Sequence, residues 1–373
     1  MKIVFTGGGT AGHLFPIIAV CREMKKIDPN LQFFYIGPKD NFSQKLLSQE
    51  GIEVRFILAG KIRRYLTPMS IIQNIIDLFL MPIGFFQAFF YVFFISPDLI
   101  FSKGGYGSLS VVISGWLLLI PVFLHESDIV PGLVNKIASH FAIEIFVSFP
   151  VEKTKYFPSK KMIWVGNPIR TEILECNLEK ARASLKLSNE KPIVFIIGGS
   201  QGSQKINDTV LFILPKLLID FEVIHQTGEN NFKQIELETN TLLEKSLLKY
   251  YHPFPFLDEE NIKNALCVAD LVVSRAGSGA IFEIAAAGKP SILIPLAHSA
   301  QDHQIKNAYA FAENGASLVI EEQNFTSNFF LERINYLFSQ PDQMKRMAES
   351  AKMFAGPFSA KITAQYLLDY LNQ

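Results

Sequence analysis

One turn occurs twice in this chain, and it restricts the fold more than any other feature. Residues 3–13 read IVFTGGGTAGH and residues 193–203 read IVFIIGGSQGS. Each is an apolar run of strand length that opens into closely spaced glycines. A strand without polar alternation is buried on both faces, the pattern of a parallel sheet covered by helices. Glycines directly after it allow a tight turn and a close backbone approach to a ligand. The copies stand 190 residues apart in a chain of 373, so each can head a domain with its own core.

The segments between them agree. Strands are expected at 3–6, 32–36, 98–102, 122–125, 144–147 and 162–165, then again at 192–197, 222–226, 271–274, 291–295 and 317–321, with helical stretches between. This implies an α/β protein of two Rossmann-like parallel-sheet domains, residues 1–165 and 166–373, facing a cleft. A closing helix near 342–371 can pack on either domain. In open parallel sheets ligands bind beyond the carboxyl ends of the strands, where both glycine turns lie.

Gly7, Gly9 and Gly12 satisfy G-x-G-x-x-G, the dinucleotide fingerprint. That fold also wants an acid about 20 residues on, at the end of the second strand. Here the strand ends in Tyr35-Ile36-Gly37-Pro38 and Asp40 lies beyond the turn, which argues against an NAD-dependent oxidoreductase. Neither loop ends in G-K-[ST]. What remains is anion binding by glycine backbone and a helix N-terminus, with His13 placed to act as a base or to bond a diphosphate.

A third glycine turn lies in LVVSRAGSGAIFEIAAAGKPSILIP. Ser278, Gly279 and Ala280 open a helix whose bare N–H groups suit a phosphate, and Glu283, one turn in, can reach a ribose. Two polar clusters follow strands: His125, Glu126, Ser127, Asp128 and Asn135, then His298, Asp302, His303 and Gln304. The second matches no zinc spacing. No D-x-D pair occurs, so a diphosphate falls to backbone dipoles, the helix terminus and Arg170 or Arg275.

Charge is balanced at 35 basic and 35 acidic residues, which gives no general attraction to nucleic acid. Cys21, Cys176 and Cys267 form no C-x-x-C pair and read as reduced thiols, with neither disulfide nor zinc. The start of the chain shows no signal-peptide pattern. Many of the 33 phenylalanines crowd between 71 and 95, and residues 78–95 carry no charge. Pro82, Gly84 and Gln87 are expected to interrupt this stretch into a pair of core helices rather than a span. Its greasy surface, with Lys61, Arg63 and Arg64 upstream, suits docking on an anionic membrane.

Taken together, GGGTAGHLFP, KGGYGS, HESDIVPGLVNK, VGNPIR, GGSQGS, SRAGSGAIFEIAAAGKP and DHQIKNA resemble, in order and spacing, the MurG family of bacterial peptidoglycan N-acetylglucosaminyltransferases. The resemblance implies the twin-Rossmann GT-B architecture. It implies transfer of GlcNAc from UDP-GlcNAc to the 4-hydroxyl of MurNAc on lipid I, giving lipid II with inversion and needing neither metal nor cofactor. A diacylglycerol glycosyltransferase of the same superfamily is the alternative.

By the same resemblance, Thr10, Ala11, Gly12, Asp128, Arg170, Ser200, Leu257, Ser278, Gly279, Ala280, Glu283, His303 and Gln304 contact UDP-GlcNAc, Leu257 lying against uracil through its backbone. Gly104, Gly105 and Tyr106 lie near the acceptor diphosphate. His13 is the expected base, with Asp128 and Glu126 as rivals. The C-terminal half is the donor side, the N-terminal half the acceptor side, and the enzyme works peripherally on the cytoplasmic face of the cell membrane. Two positions depart from the family, which often has asparagine where Asp128 stands and threonine where Ala280 stands.

Overall fold

The computed structural model describes residues 1–8, 11–60, 67–188 and 190–372. The chain forms two compact units: Met1–Arg170 with Pro357–Gln373, and Thr171–Gly356. The first unit holds seven parallel strands, β1 (Lys2–Thr6), β2 (Gln32–Pro38), β3 (Glu53–Ile57), β4 (Leu99–Ser102), β5 (Val122–Glu126), β6 (Glu144–Val147) and β7 (Met162–Trp164), in the order β3-β2-β1-β4-β5-β6-β7. The second holds β8 (Ile193–Ile197), β9 (Glu222–Gln226), β10 (Tyr251–Phe254), β11 (Leu271–Ser274), β12 (Ser291–Leu293) and β13 (Ser317–Val319), in the order β10-β9-β8-β11-β12-β13.

In each sheet the strand order reverses beside the first strand, between β1 and β4 and between β8 and β11. Ligands bind at this switch point because the loops leaving the two strands diverge there. Each switch point is flanked by two glycine loops, after β1 and β4 in one unit and after β8 and β11 in the other.

Both cores are built as the apolar strands demand. Ile3, Phe5, Phe101, Phe123 and Phe146 point to one face of the first sheet, covered by the helices Ala11–Ile27 and Ser359–Leu371. Val4, Ile36, Ile100, Val122 and Leu124 point to the other. The single closing helix expected near 342–371 is two helices, Pro341–Phe354 in the second unit and Ser359–Leu371 in the first. Gly356, at a φ of +52°, and Pro357 separate them.

The phenylalanine-rich segment also differs from expectation. It is one 28-residue helix, Pro68–Ile95, started by Thr67 as N-cap and continuous through Pro82. Gly84 and Gln87 do not break it; they attach it. A side chain at Gly84 would run into the carbonyl of Leu58, just past β3, and the Gln87 amide oxygen accepts the Leu58 N–H at 2.8 Å. Gly84, Ala88 and Val92, each four residues apart, form the buried seam toward the core. The rest faces outward, with Phe79 at 71% and Phe94 at 76% exposure. By length and mean hydropathy of 2.1 the helix is long and apolar enough to cross a membrane, and only 17% of that window is buried.

The expected reduced thiols are corrected as well. Cys176 and Cys267 are joined by a disulfide, their Cα atoms 5.3 Å apart. Packing of the helix Glu259–Val268 against Leu178–Ser184 brings together two residues 91 positions apart, which no local spacing rule detects. Cys21 is free and buried, its thiol pushed up to about 12 by that burial.

Candidate active site

At the first switch point the turn after β1 lies backbone to backbone against the turn after β4. A Cβ on Gly105 would stand 2.6 Å from both the Cα and the N of Gly8, so the loop after β4 can carry no side chain at the contact. Gly104 and Gly105 have φ of +79° and +90°, the left-handed region that favours glycine. From beneath, Tyr35 of β2 donates its hydroxyl to the Gly7 carbonyl at 3.0 Å. Gly12 faces open space. Gly9 and Thr10 lie outside the described residues, as do Lys61, Arg63 and Arg64; the backbone of Ala11 opens the helix Ala11–Ile27.

His13 is half-buried in the first turn of that helix. Burial first, and then the charge of Lys103, hold its imidazole down at about 4, while Asp128 pulls the other way. Burial and Lys103 both favour the neutral imidazole, where the sequence alone suggests one that titrates near neutral pH.

The 125–128 loop rests on buried polar groups. His125 donates Nε2–H to the Gly166 carbonyl at 3.0 Å, which leaves Nδ1 as acceptor for Lys103 Nζ at 2.6 Å. Lys103 also donates to Ser127 Oγ at 2.5 Å, and the Ser127 hydroxyl donates to Asn167 Oδ1 at 3.0 Å. Glu126 accepts the Asp128 N–H at 2.9 Å and the Asn135 amide at 2.8 Å. Its carboxyl is raised to about 7 by burial and by Asp128. Both oxygens of Glu126 hold the loop, whereas Asp128 is half-buried and Tyr106 exposed. Lys103 lies within the quoted KGGYGS, yet only its burial marks it as part of the site.

Arg170, expected on the donor side, closes the first unit. It is 3% exposed and its guanidinium stacks 4.1 Å from the ring centre of Phe15.

In the second unit the loop after β8 turns at Gly199 and Gly202, with φ of +95° and +75°, and presents Ser200 to solvent. Beside it the helix Ser278–Ala286 begins at Gly277 without any side-chain cap. Neither Gly277 nor Gly279 has an atom within 4 Å of where a Cβ would be, so the first-turn N–H groups meet an open approach. An uncapped helix start of this kind, with its dipole, has the chemistry to receive an anion. Ser278 is buried, and Ala280 and Glu283 are half-buried.

Arg275 does not face this opening. Its guanidinium donates to Ser203 Oγ at 2.7 Å, Glu322 Oε1 at 2.6 Å and the Ile294 carbonyl at 3.2 Å, so its charge is matched inside the unit. The 298–302 turn holds His298, Gln301 and Asp302 at φ between +54° and +59°. Such strain collects at functional sites. After it, Gln304 accepts the Leu296 N–H at 3.0 Å and His303 donates to the Ala300 carbonyl at 2.8 Å. Leu257 is buried, and its N–H is held by Gln226, a residue the sequence did not single out. Among the described residues no group of three or more His, Cys, Asp or Glu side chains is placed to hold a metal.

Residues 3–147 match the glycosyltransferase family 28 N-terminal domain, and residues 193–363 its C-terminal domain. A Bacillus cereus (strain ATCC 10987) UDP-N-acetylglucosamine–N-acetylmuramyl-(pentapeptide) pyrophosphoryl-undecaprenol N-acetylglucosamine transferase is 40% identical, covering 100% of this chain and 99% of its own. A Clostridium botulinum protein of the same description is 38% identical over 95% of this chain and 96% of its own. Among solved structures, Acinetobacter baumannii MurG aligns at a TM-score of 0.73 and 22% identity, covering 99% of both chains. A Neisseria meningitidis UDP-GlcNAc 2-epimerase bound to UDP-GlcNAc aligns at 0.69 and 16%, covering 99% of this chain and 100% of that one. These two share the fold.

Proposed function

The chain belongs to the UDP-N-acetylglucosamine–N-acetylmuramyl-(pentapeptide) pyrophosphoryl-undecaprenol N-acetylglucosamine transferases, built from the two glycosyltransferase family 28 domains, and from that premise we infer what each half-site does. It is a glycosyltransferase that moves GlcNAc from UDP-GlcNAc to lipid I, forming lipid II for peptidoglycan. The observation that carries this is identity near 40% over the full length of both chains. A diacylglycerol acceptor has no comparable support.

The second unit is the donor side. The uncapped N-terminus of Ser278–Ala286 and the Gly199–Gly202 turn take the diphosphate, Ser200 and Glu283 assist there, and the 298–304 segment takes the sugar. Arg275 orders these loops rather than touching phosphate. Leu257 offers uracil its carbonyl, since Gln226 already holds its N–H. No metal is required, because helix and loop N–H groups meet the charge that grows on the leaving UDP.

The first unit is the acceptor side. The acceptor 4-hydroxyl oxygen bonds to the anomeric carbon as the bond to the UDP oxygen breaks, its electron pair leaving with UDP and inverting the centre. His13 takes the hydroxyl proton. A base must be unprotonated beforehand, and His13 is. The approaching acceptor diphosphate, itself anionic, raises the basicity of the imidazole at the moment of use. Glu126 is committed to the loop, which leaves Asp128 as the rival.

Lipid I cannot leave its bilayer, and the helix Pro68–Ile95 is the docking element. Its Gly84 seam fastens it along the domain, so it lies at the interface on the cytoplasmic face rather than spanning. The exposed Phe79, Ile83, Phe86, Phe90 and Phe94 form the stripe that enters lipid.

The acceptor assignment is tested by offering lipid I and diacylglycerol in the same vesicles with radiolabelled UDP-GlcNAc. Label in lipid II is expected, and label in diacylglycerol alone refutes the assignment.

A further inference from the structure

Lys103 is 3% exposed, at the carboxyl end of β4, and it directs protons to two acceptors whose own protons are already committed. Buried lysines are rare unless something holds them there. The two bonds explain its direction but not its charge. The charge is answered by carboxylates, Glu126 and Asp128, both of which act on it. Its stem also flanks the glycine turn, since a Cβ on Gly7 would stand 3.7 Å from the Lys103 Cβ. One residue thus touches the 125–128 loop, borders the turn that precedes His13 and acts electrostatically on His13 itself.

We propose that Lys103 is a positioning residue of the acceptor half-site: it holds the 125–128 loop in register with the glycine turn and supplies the cation that offsets Asp128 beside His13. Asp128 brings a negative charge close enough to act on His13. The Lys103 ammonium offsets that charge at His13, adding to the burial that already favours the neutral imidazole. The groups facing this cation are His125 and Ser127 by hydrogen bond and Glu126, Asp128 and His13 by charge. The proposal rests on the reading of His13 as the base only for its catalytic meaning; the electrostatic coupling is independent of it.

The test is a double-mutant cycle read by histidine NMR titration of the full chain, with transfer rates measured alongside. The wild-type His13 midpoint is expected at about 4. Lys103→Gln keeps donors for His125 and Ser127 but removes the charge, and is expected to raise the His13 midpoint by roughly one pH unit. Asp128→Asn lowers it, and the double variant returns close to the wild type. The expected rate effect of Lys103→Gln is a fall of about tenfold in kcat with KM for UDP-GlcNAc unchanged, because the donor site is in the other unit.

A His13 midpoint unmoved by Lys103→Gln, or single shifts of the same sign, overturns the proposal. Should Lys103→Gln not fold, lysine NMR of the wild type decides. A Lys103 ammonium still charged at the pH of transfer supports the proposal, and one already neutral there contradicts it. If His13→Ala keeps its rate while the titration cycle behaves as expected, the base assignment fails and the role of Lys103 stands.

Discussion

The backbone N–H of Leu257 donates to the side-chain oxygen of Gln226 at 2.9 Å, and the same amide donates onward to the Gly199 carbonyl at 2.9 Å. One buried glutamine therefore ties the segment assigned to uracil to the loop assigned to phosphate. Gln226→Leu removes both bonds without a large volume change. KM for UDP-GlcNAc should rise about tenfold, the loss of ~1.4 kcal/mol, while KM for lipid I stays put. Steady-state kinetics with each substrate varied in turn checks this, and an equal rise in both constants counts against it.

Gly84 and the outward phenylalanines of the same helix should separate folding from docking. Gly84→Ala forces the helix off the Leu58 carbonyl, and a cost of about 1–3 kcal/mol is expected in the melting of the first unit. Phe86→Ser with Phe90→Ser alters only the exposed stripe. Stability should change little, while recovery with anionic vesicles drops and turnover of a short-chain soluble acceptor persists. A drop in melting temperature as large as that of Gly84→Ala sinks the docking assignment.

Arg275→Gln leaves Glu322 without its cation and Ser203 without its donor in a nearly closed site. Breaking a buried pair from one side costs ~3–5 kcal/mol, so the second unit should melt well before the first. If instead only donor affinity falls and melting is unchanged, Arg275 contacts phosphate directly.

Acid should weaken the second unit through His225. This imidazole is fully buried between Asn207 and Tyr251, and burial pulls it down to about 3 from 6.5. As pH falls the unfolded chain binds the extra proton first, so stability is full above about pH 6.5 and declines toward pH 3, at up to ~1.4 kcal/mol per pH unit. His225→Asn should flatten this slope in melts recorded across that window; an unchanged slope assigns it to other groups.

How much of this was legible depended on whether the signal was local. Strands such as IVFTG and LVVS announce themselves because both faces are buried. Two edge strands do not. In β3, Glu53 and Arg55 alternate toward solvent, and β10 contains Pro253, which an edge tolerates and a central strand does not. Glycine turns and the uncapped helix at Ser278 were readable because their chemistry lies in consecutive residues. Lys103, Gln226 and the commitment of Arg275 were not, since each is defined by partners 19 to 72 residues away. The same holds for the disulfide. Pro82 and Gly84 misled in the other direction: they are helix breakers by propensity, yet one is accommodated and the other is needed for contact with Leu58.

The most direct measurement is transfer from radiolabelled UDP-GlcNAc to lipid I in vesicles with EDTA present, comparing the wild type with His13→Ala and Asp128→Asn across pH. The account predicts lipid II formation undiminished by EDTA, a loss in kcat of about 100-fold or more for His13→Ala, and a smaller loss for Asp128→Asn. Absence of lipid II, dependence on a divalent metal, or near-normal kcat in His13→Ala would contradict it.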